Sequence, residues 1–473
     1  MNFRKLPFYN EAVKPYLFAK NFHAASKNNY PASAMKVIGI TGTNGKTTTT
    51  WMVFNVLREK FGDKVGVMST IGWGNGNEIK AQTAHATTED AGVLQKHLAE
   101  LRDKGVEYVV LEVSSHALAQ RRIFGIPIDT AIFTNLSPDH LDYHKTMEKY
   151  SAAKQRLFLL AEKKRNGKKL GIVNFDDNEF ANFAGKTSDA VSYSLANPDA
   201  DLFAEKVKLT PSGVEYDLKM NANFVEELAE QNENFAKKYA SAKAKAASLA
   251  KFHIKTQIPG EFNVYNSLAA TAVGLKYGLS RKEIEAGIAK TRVAGRMNSV
   301  DAGQKFSVII DFATTPDAFE NVLPGIRETT KGRVISLFGL PGARDQSKAA
   351  GMGKIGAKYS DILIFTEDDA RGNVRAQSEK MAAGVPKDFA KKGGEVKFVD
   401  DRKKAIEEAM KIAKAGDTVV LLGKGPEKII ARMKNGKVVD EPWDEEKTAR
   451  NAIEKSLVSS KKTVAKSKKI SKK

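Results

Sequence analysis

The stretch from Lys36 to Thr48 restricts this chain more than any other. Lys36-Val37-Ile38-Gly39-Ile40 is short and apolar and reads as a strand, and residues from about Thr47 to Lys60 carry helical spacing. Between them lies Thr41-Gly42-Thr43-Asn44-Gly45-Lys46-Thr47-Thr48. Glycines let such a turn curl until its N–H groups face one point, and the start of the following helix adds partial positive charge there. A phosphate suits that point. Lys46 can reach β- and γ-phosphates, and the Thr47 hydroxyl can hold Mg²⁺. Ile40 stands where the strict phosphate-loop spacing has a small residue, so the loop is a variant of that pattern.

The same alternation continues. Apolar strands are predicted at 65–70, 107–113, 130–134 and 170–174, with amphipathic helical stretches between several of them. A second series follows at 306–311, 333–338, 361–366, 396–399 and 418–422, with a helical pattern at 401–415. Strands alternating with helices imply mostly parallel, helix-covered sheets, and 473 residues suffice for two or three cores. The expected class is α/β: a P-loop-type parallel-sheet ATPase domain over 36–295 and a Rossmann-like α/β domain over 296–456, joined near Gly295. Residues 1–35 read as a short helical segment, 224–251 as a largely exposed Ala/Lys/Glu-rich helix, and 457–473 as a disordered Lys-rich tail.

Charge and composition narrow the function classes. The net charge is +20, but Lys461–Lys473 holds seven lysines and no acid, leaving about +13 for the rest. Diffuse lysine attracts anionic nucleotides without naming a partner. A basic nucleic-acid-binding ATPase would interleave aromatic and basic residues around the loop. Here the lysines concentrate in the tail and the 224–251 stretch, so no specific nucleic acid is expected. Cysteine is absent, which excludes disulfides, thiolate zinc sites and thiol nucleophiles and suits a reducing cytoplasm. No run approaches the roughly 20 apolar residues that cross a bilayer.

Two further stretches carry chemistry. Tyr108-Val109-Val110-Leu111-Glu112-Val113 would place Glu112 at the C-terminal end of a buried strand, where open α/β sheets put metal and substrate groups. Phe133-Thr134-Asn135-Leu136-Ser137-Pro138-Asp139-His140-Leu141-Asp142-Tyr143-His144 packs Asn, Asp and His into one post-strand loop, a source of ligands for a metal–phosphate centre.

Taken together, TGTNGKTTT, EVSSHALAQRR, FTNLSPDHLDYH, YSAAKQRLF, GEFNVYNSLAA, GRM, DFATTPDA, FGLPGARD, TEDDAR and GKGPE resemble the Mur ligase family, most closely its MurE type, from about Lys36 to Ile453. The resemblance implies an ATP-dependent, ADP-producing ligase that phosphorylates a substrate carboxylate, after which an amine attacks the acyl phosphate. Gly42, Thr43, Asn44, Gly45, Lys46, Thr47 and Thr48 would hold ATP phosphates, with Asn263 and Asn266 at the base and Arg296 and Asp311 near ribose and phosphates. Thr47 and Glu112 would share one Mg²⁺ and His140 would bind a second. Lys154 matches a lysine the family carbamylates, which turns a repelling ammonium into an anionic oxygen ligand. Thr87, Thr88, Ser114, Gln120 and Arg122 would hold a UDP-linked muramoyl dipeptide. Arg344, Asp368, Asp369, Ala370, Arg371, Gly423 and Glu427 would hold a free diamino acid. Arg371, an arginine fork suited to a distal carboxylate, favours meso-diaminopimelate over L-lysine. A cytoplasmic monomer is expected.

The sequence also departs from the family pattern. Asp369-Ala370 replaces Asn-Pro, Thr314 and Pro426 each replace a histidine, Ala343 an acid and Glu89 a proline. Residues 1–35 are shorter than the family's uridine-nucleotide domain, which predicts a truncated UDP-binding region. An amide ligase with another acceptor, of folate or polyglutamate type, is the alternative within the family; EVSSHALAQRR and DDAR argue against it.

Overall fold

Five- and six-residue apolar runs become the buried central strands of two sheets. The computed structural model describes residues 14–82, 87–210, 213–231, 252–342 and 346–470, and its contacts divide the chain into Met1–Arg292 and Val293–Lys473. The sheet of the first unit contains β1 (Lys36–Thr41), β2 (Val65–Ser69), β3 (Gly72–Asn75), β4 (Glu78–Ala81), β5 (Tyr108–Glu112), β6 (Ile128–Phe133), β7 (Leu170–Asn174), β8 (Asp189–Ser194), β9 (Leu202–Thr210), β10 (Gly213–Met220) and β11 (His253–Thr256). Their order is β11-β10-β9-β8-β7-β6-β1-β5-β2-β3-β4. Strands β2, β5, β1, β6, β7, β8 and β9 run parallel, as alternation with helices requires.

Both edges of this sheet are antiparallel, β2-β3-β4 on one side and β9-β10-β11 on the other. The sequence reading placed no strands there. These strands are half-exposed or interrupted by glycine, so they lack the continuous apolar run that marks a buried strand.

Register fixes the working edge. Ile40 pairs with Glu112 and Thr41 with Phe133, so β1, β5 and β6 end side by side and release their loops on one edge. Helix Met147–Glu162 packs against β6, β7 and β1. Gly39 permits its close approach, because a Cβ there would lie 2.8 Å from Leu157 Cδ1. Leu157 and Phe158 are fully buried, each burial contributing roughly 1.5–3 kcal/mol. Lys154, one turn before Leu157, is thereby carried over the loop that follows β1.

The second unit contains β12 (Asn298–Ser299), β13 (Ser307–Asp311), β14 (Val334–Phe338), β15 (Ile362–Phe365), β16 (Glu395–Phe398), β17 (Thr418–Leu422), β18 (Ile429–Lys434) and β19 (Lys437–Pro442). The first six form a sheet ordered β12-β13-β17-β14-β15-β16, parallel except for β12, and the last two form a separate hairpin.

The tail differs from expectation. Helix Glu445–Ile470 runs through most of the segment read as disordered. Its first turns are anchored by buried Ala449, Ala452 and Ile453. Of the helix read over 224–251, Ala222–Gln231 is helical and residues 232–251 lie outside the described residues. Among the described residues no helix is long and apolar enough to cross a membrane.

Candidate active site

The loop after β1 is shaped by two glycines that tolerate no side chain. A Cβ at Gly42 would fall 1.8 Å from Thr134 Oγ1, and one at Gly45 would fall 2.5 Å from Asn266 Oδ1. Gly45 is also left-handed, with φ 81°, and caps helix Lys46–Phe61. The loop after β6 clamps this turn. Thr43 N donates to the Asn135 carbonyl and Asn44 N to Asn135 Oδ1, both at 2.8 Å, while Thr134 Oγ1 donates to the Asn44 carbonyl at 2.6 Å. Lys46 Nζ folds over the loop and donates to the carbonyls of Gly42 (3.0 Å) and Thr43 (2.8 Å). An ammonium resting on backbone carbonyls at a helix start is poised for a phosphate. Asn263 and Asn266 are buried beneath the loop: Asn266 Nδ2 donates to Asn263 Oδ1 (2.9 Å), and Thr49 Oγ1 donates to Asn266 Oδ1 (3.0 Å).

Glu112, at the end of β5, is 1% exposed and meets this loop. Thr47 Oγ1 donates to its Oε1 at 2.9 Å, and Thr70 donates to Oε2 through its N–H (2.8 Å) and hydroxyl (3.0 Å). A carboxylate and a hydroxyl fixed within hydrogen-bond reach of each other, beside the phosphate loop, are the hard oxygen donors Mg²⁺ prefers. The residues fit that ion. Thr70 was not singled out in the sequence; only the pairing of β2 with β5 brings it there.

Lys154 lies 1% exposed with Nζ donating to the Gly42 carbonyl at 2.6 Å. Burial, and then the neighbouring Lys46 ammonium, push its amine well below the usual lysine range. An amine held in its free-base form is the form that adds CO₂, so this environment fits a carbamate. His140 belongs to a ring cluster, with its centroid 4.7 Å from that of His116 and 6.2 Å from that of Tyr150. Its backbone is left-handed at φ 55°. Burial drives His116 to about 3 and His144 to about 4, and lowers His140. These imidazoles are therefore neutral at neutral pH, the form that can ligate a metal.

The residues read as acceptor ligands form one hydrogen-bonded group. Thr88 Oγ1 donates to the Glu112 carbonyl (3.0 Å) and accepts from Ser114 N (2.9 Å). Arg122 bonds the Thr88 carbonyl (2.8 Å) and Gln120 Oε1 (2.9 Å), and Gln120 reaches the Tyr143 hydroxyl (3.4 Å). Thr87, half-buried, precedes Thr88. This group is thus tied directly to the Glu112 strand end and to the histidine cluster.

The second unit collects its residues at the ends of β15 and β17. Lys424 Nζ is fully buried, 3.0 Å from Asp369 Oδ1 and 3.8 Å from Asp368 Oδ1, and paired closely with Glu427. Asp369 Oδ1 also accepts from Ala431 N (3.0 Å), and Ala370 is buried. Burial raises the Asp368 carboxyl, whose Oδ2 has no hydrogen-bond partner. Gly423, left-handed at φ 108°, packs closely against that buried oxygen, since a Cβ would stand 2.9 Å from it. Arg371 is left-handed at φ 45°, with Nη2 3.9 Å from Asp369 Oδ2. Lys424 had been read only as part of its motif. Arg344 lies outside the described residues. Asp311 is buried at the end of β13, bonded by Met297 N (2.8 Å) and Ala313 N (2.9 Å), and Arg296 lies over the Phe312 ring at 4.9 Å.

Comparison with known proteins bears on this arrangement. Residues 40–274 match the Mur ligase middle domain, and residues 295–425 match the domain described as Mur ligase, glutamate ligase domain. A UDP-N-acetylmuramoyl-L-alanyl-D-glutamate–2,6-diaminopimelate ligase of Clostridium acetobutylicum is 39% identical over 402 residues, covering 84% of this chain and 74% of that one. The equivalent ligase of Geobacter metallireducens is 37% identical over 432 residues, covering 87% and 78%. A solved structure of such a ligase superposes with a TM-score of 0.58 at 26% identity, covering 93% of this chain and 82% of that chain. Folylpolyglutamate synthase of Mycobacterium tuberculosis, at 14% identity and a TM-score of 0.64, shares the fold over 87% of this chain and 94% of its own.

Proposed function

The chain belongs to the Mur ligase family of ATP-dependent, amide-forming enzymes, and on that premise we propose that it joins a diamino acid, meso-diaminopimelate in preference to L-lysine, to UDP-N-acetylmuramoyl-L-alanyl-D-glutamate. The acceptor carboxylate oxygen takes the γ-phosphoryl group of ATP, releasing ADP. The amine of the incoming amino acid then attacks the acyl carbon and expels phosphate, leaving an amide and a proton for solvent.

Each residue group has a part in this reading. The N–H groups of Gly42–Thr48 and the Lys46 ammonium hold the triphosphate and offset charge on the transferring phosphoryl group. Thr47, Glu112, His140 and a carbamylated Lys154 would hold two Mg²⁺, whose chemistry is to neutralise phosphate charge. Thr70 keeps the Glu112 carboxylate turned toward Thr47. Thr87, Thr88, Ser114, Gln120 and Arg122 orient the acceptor beside that edge. In the second unit, Arg371 takes the distal carboxylate of the amino acid, while Asp368 and Glu427 take its ammonium.

The single observation that supports this most is the convergence on Gly42. Its carbonyl accepts from both Lys46 and Lys154, which puts the phosphate-loop lysine and the lysine proposed for carbamylation within a few ångströms of each other. The testing experiment is phosphate release with ATP, UDP-N-acetylmuramoyl-L-alanyl-D-glutamate and a panel of amino acids. Release that depends on the muramoyl acceptor and is fastest with meso-diaminopimelate is expected. Release that needs neither excludes the proposal.

A further inference from the structure

Thr43 stands in the loop read as the cradle of the triphosphate, yet its own polar groups are engaged inside the protein. Its N–H donates to the Asn135 carbonyl at 2.8 Å, and its carbonyl accepts from Lys46 Nζ at 2.8 Å. The hydroxyl is a hub. Oγ1 donates to the Ser137 carbonyl (3.2 Å), accepts from Ser137 N (3.0 Å) and lies 3.2 Å from the Tyr150 hydroxyl. A threonine hydroxyl has one hydrogen and two lone pairs. The hydrogen goes to Ser137, so the Tyr150 hydroxyl is the donor in the third bond and both lone pairs are filled. Thr43 has no hydrogen left to give a phosphate oxygen.

Tyr150 gives this bond its reach. The residue is 1% exposed and lies on helix Met147–Glu162, one turn before Lys154. Residues four apart share a helix face, and Lys154 Nζ stands 4.5 Å from the centroid of the Tyr150 ring. The same ring meets the His140 ring edge-on at 6.2 Å and the tilted His144 ring at 5.1 Å. Ser137 precedes His140 by three residues. The bonds at Thr43 Oγ1 therefore tie three pieces to one atom: the loop after β1, the loop that delivers His140 and the helix that delivers Lys154. Burial makes the tie strict, because a buried hydroxyl that loses its partner has no water to turn to.

We propose that Thr43 and Tyr150 are positioning residues: the Tyr150–Thr43–Ser137 bonds hold His140 and Lys154 in register with the phosphate loop, and neither side chain touches the nucleotide. This rests on the reading of Lys46, His140 and Lys154 as the groups around the transferring phosphate. The leverage comes from geometry, since misplacing a reacting group by about 1 Å can cost about 100-fold in rate. Only one hydroxyl pair lies between the phosphate loop and the helix face that bears Lys154.

The test uses three variants of the full chain: Thr43→Val, which keeps the shape and loses the hydroxyl; Tyr150→Phe, which keeps the ring; and Thr43→Ser, which keeps the hydroxyl. Two readouts need no ligation. Calorimetric titration of ADP with Mg²⁺ should give affinities within about 2-fold of the wild-type chain for all three, whereas loss of a phosphate-bound hydroxyl would weaken ADP about 10-fold in Thr43→Val. Amide hydrogen exchange read by mass spectrometry should quicken about 10-fold over residues 136–140 in Thr43→Val and in Tyr150→Phe, no further in the double variant, and not in Thr43→Ser. The third readout is acceptor-dependent phosphate release. There kcat should fall about 10-fold or more in Thr43→Val and Tyr150→Phe with KM for ATP within about 2-fold, and Thr43→Ser should recover most of the loss. Weakened ADP binding by Thr43→Val overturns the proposal, because the hydroxyl would then be a nucleotide ligand. So do unchanged exchange, additive effects in the double variant, or faster exchange spread over the whole sheet, which would mean general loosening. A chain that ligates with kcat unchanged in these variants loses this proposal alone. One that shows the expected exchange and ADP binding but never ligates loses the assigned reaction alone.

Discussion

Arg402 offers the strictest quantitative test of the second unit. Its side chain and that of Glu445 are both 0% exposed. The guanidinium Nε lies 3.0 Å from each Glu445 oxygen and Nη2 lies 2.6 Å from Oε1. The same group donates to the Glu367 carbonyl (3.2 Å) and the Leu422 carbonyl (2.9 Å). Those carbonyls immediately precede Asp368 and Gly423, so one guanidinium ties together the two loops assigned to the amino acid. Removing it strands a buried carboxylate, a change worth about 3–5 kcal/mol. We expect Arg402→Met to destabilise the chain by that amount, and Glu445→Leu by a similar one. The double variant should recover most of the loss, since well-packed apolar side chains often replace a buried pair at little cost. Urea unfolding followed by tryptophan fluorescence suits the measurement, because Trp443 Nε1 donates to Glu445 Oε2 at 2.6 Å and reports on the pair directly. A loss under about 1 kcal/mol for Arg402→Met, or a double variant as unstable as the two singles added, would refute the reasoning.

Other consequences follow from the same geometry. Arg371→Ala should raise KM for meso-diaminopimelate about 10- to 100-fold with KM for ATP unchanged, and unaltered preference over L-lysine would count against its role. Lys154 has a depressed folded-state value, so between that value and the ordinary 10.5 the unfolded chain binds the additional proton and stability rises with pH. In CO₂-free buffer, the unfolding free energy of the wild-type chain from urea titration should therefore climb as pH rises toward 10.5, by up to about 1.4 kcal/mol per pH unit, and Lys154→Met should flatten that slope. Parallel slopes would mean that the amine is ordinary. Thr70→Val should lower turnover about 10-fold by freeing the Glu112 carboxylate, with steady-state phosphate release as the measurement; no change would remove Thr70 from the site.

How much of this could be read in advance depended on the range over which each signal acts. The phosphate loop and the central strands are written locally, in β-branched runs, two indispensable glycines and helical spacing, and they fall within a residue or two of where the chain predicts them. Glu112 was legible because a carboxylate ending an apolar strand is a local oddity. Thr70 and Tyr150 were not, because their importance arises from bonds to positions 42 and 107 residues away that only strand order creates. Arg402 lies within the 401–415 helical pattern with nothing local to mark it, and only the fold buries it against Glu445. The antiparallel edges escaped because half-exposed strands carry weak periodicity.

Turnover by Lys154→Ala bears most directly on the meeting of phosphate loop, carboxylate and buried amine at one sheet edge. Acceptor-dependent phosphate release should fall at least about 1,000-fold at saturating ATP, a loss of about 4 kcal/mol in transition-state stabilisation. ATP should still bind through Lys46 and the loop. Release within a few-fold of the unaltered chain would contradict the account.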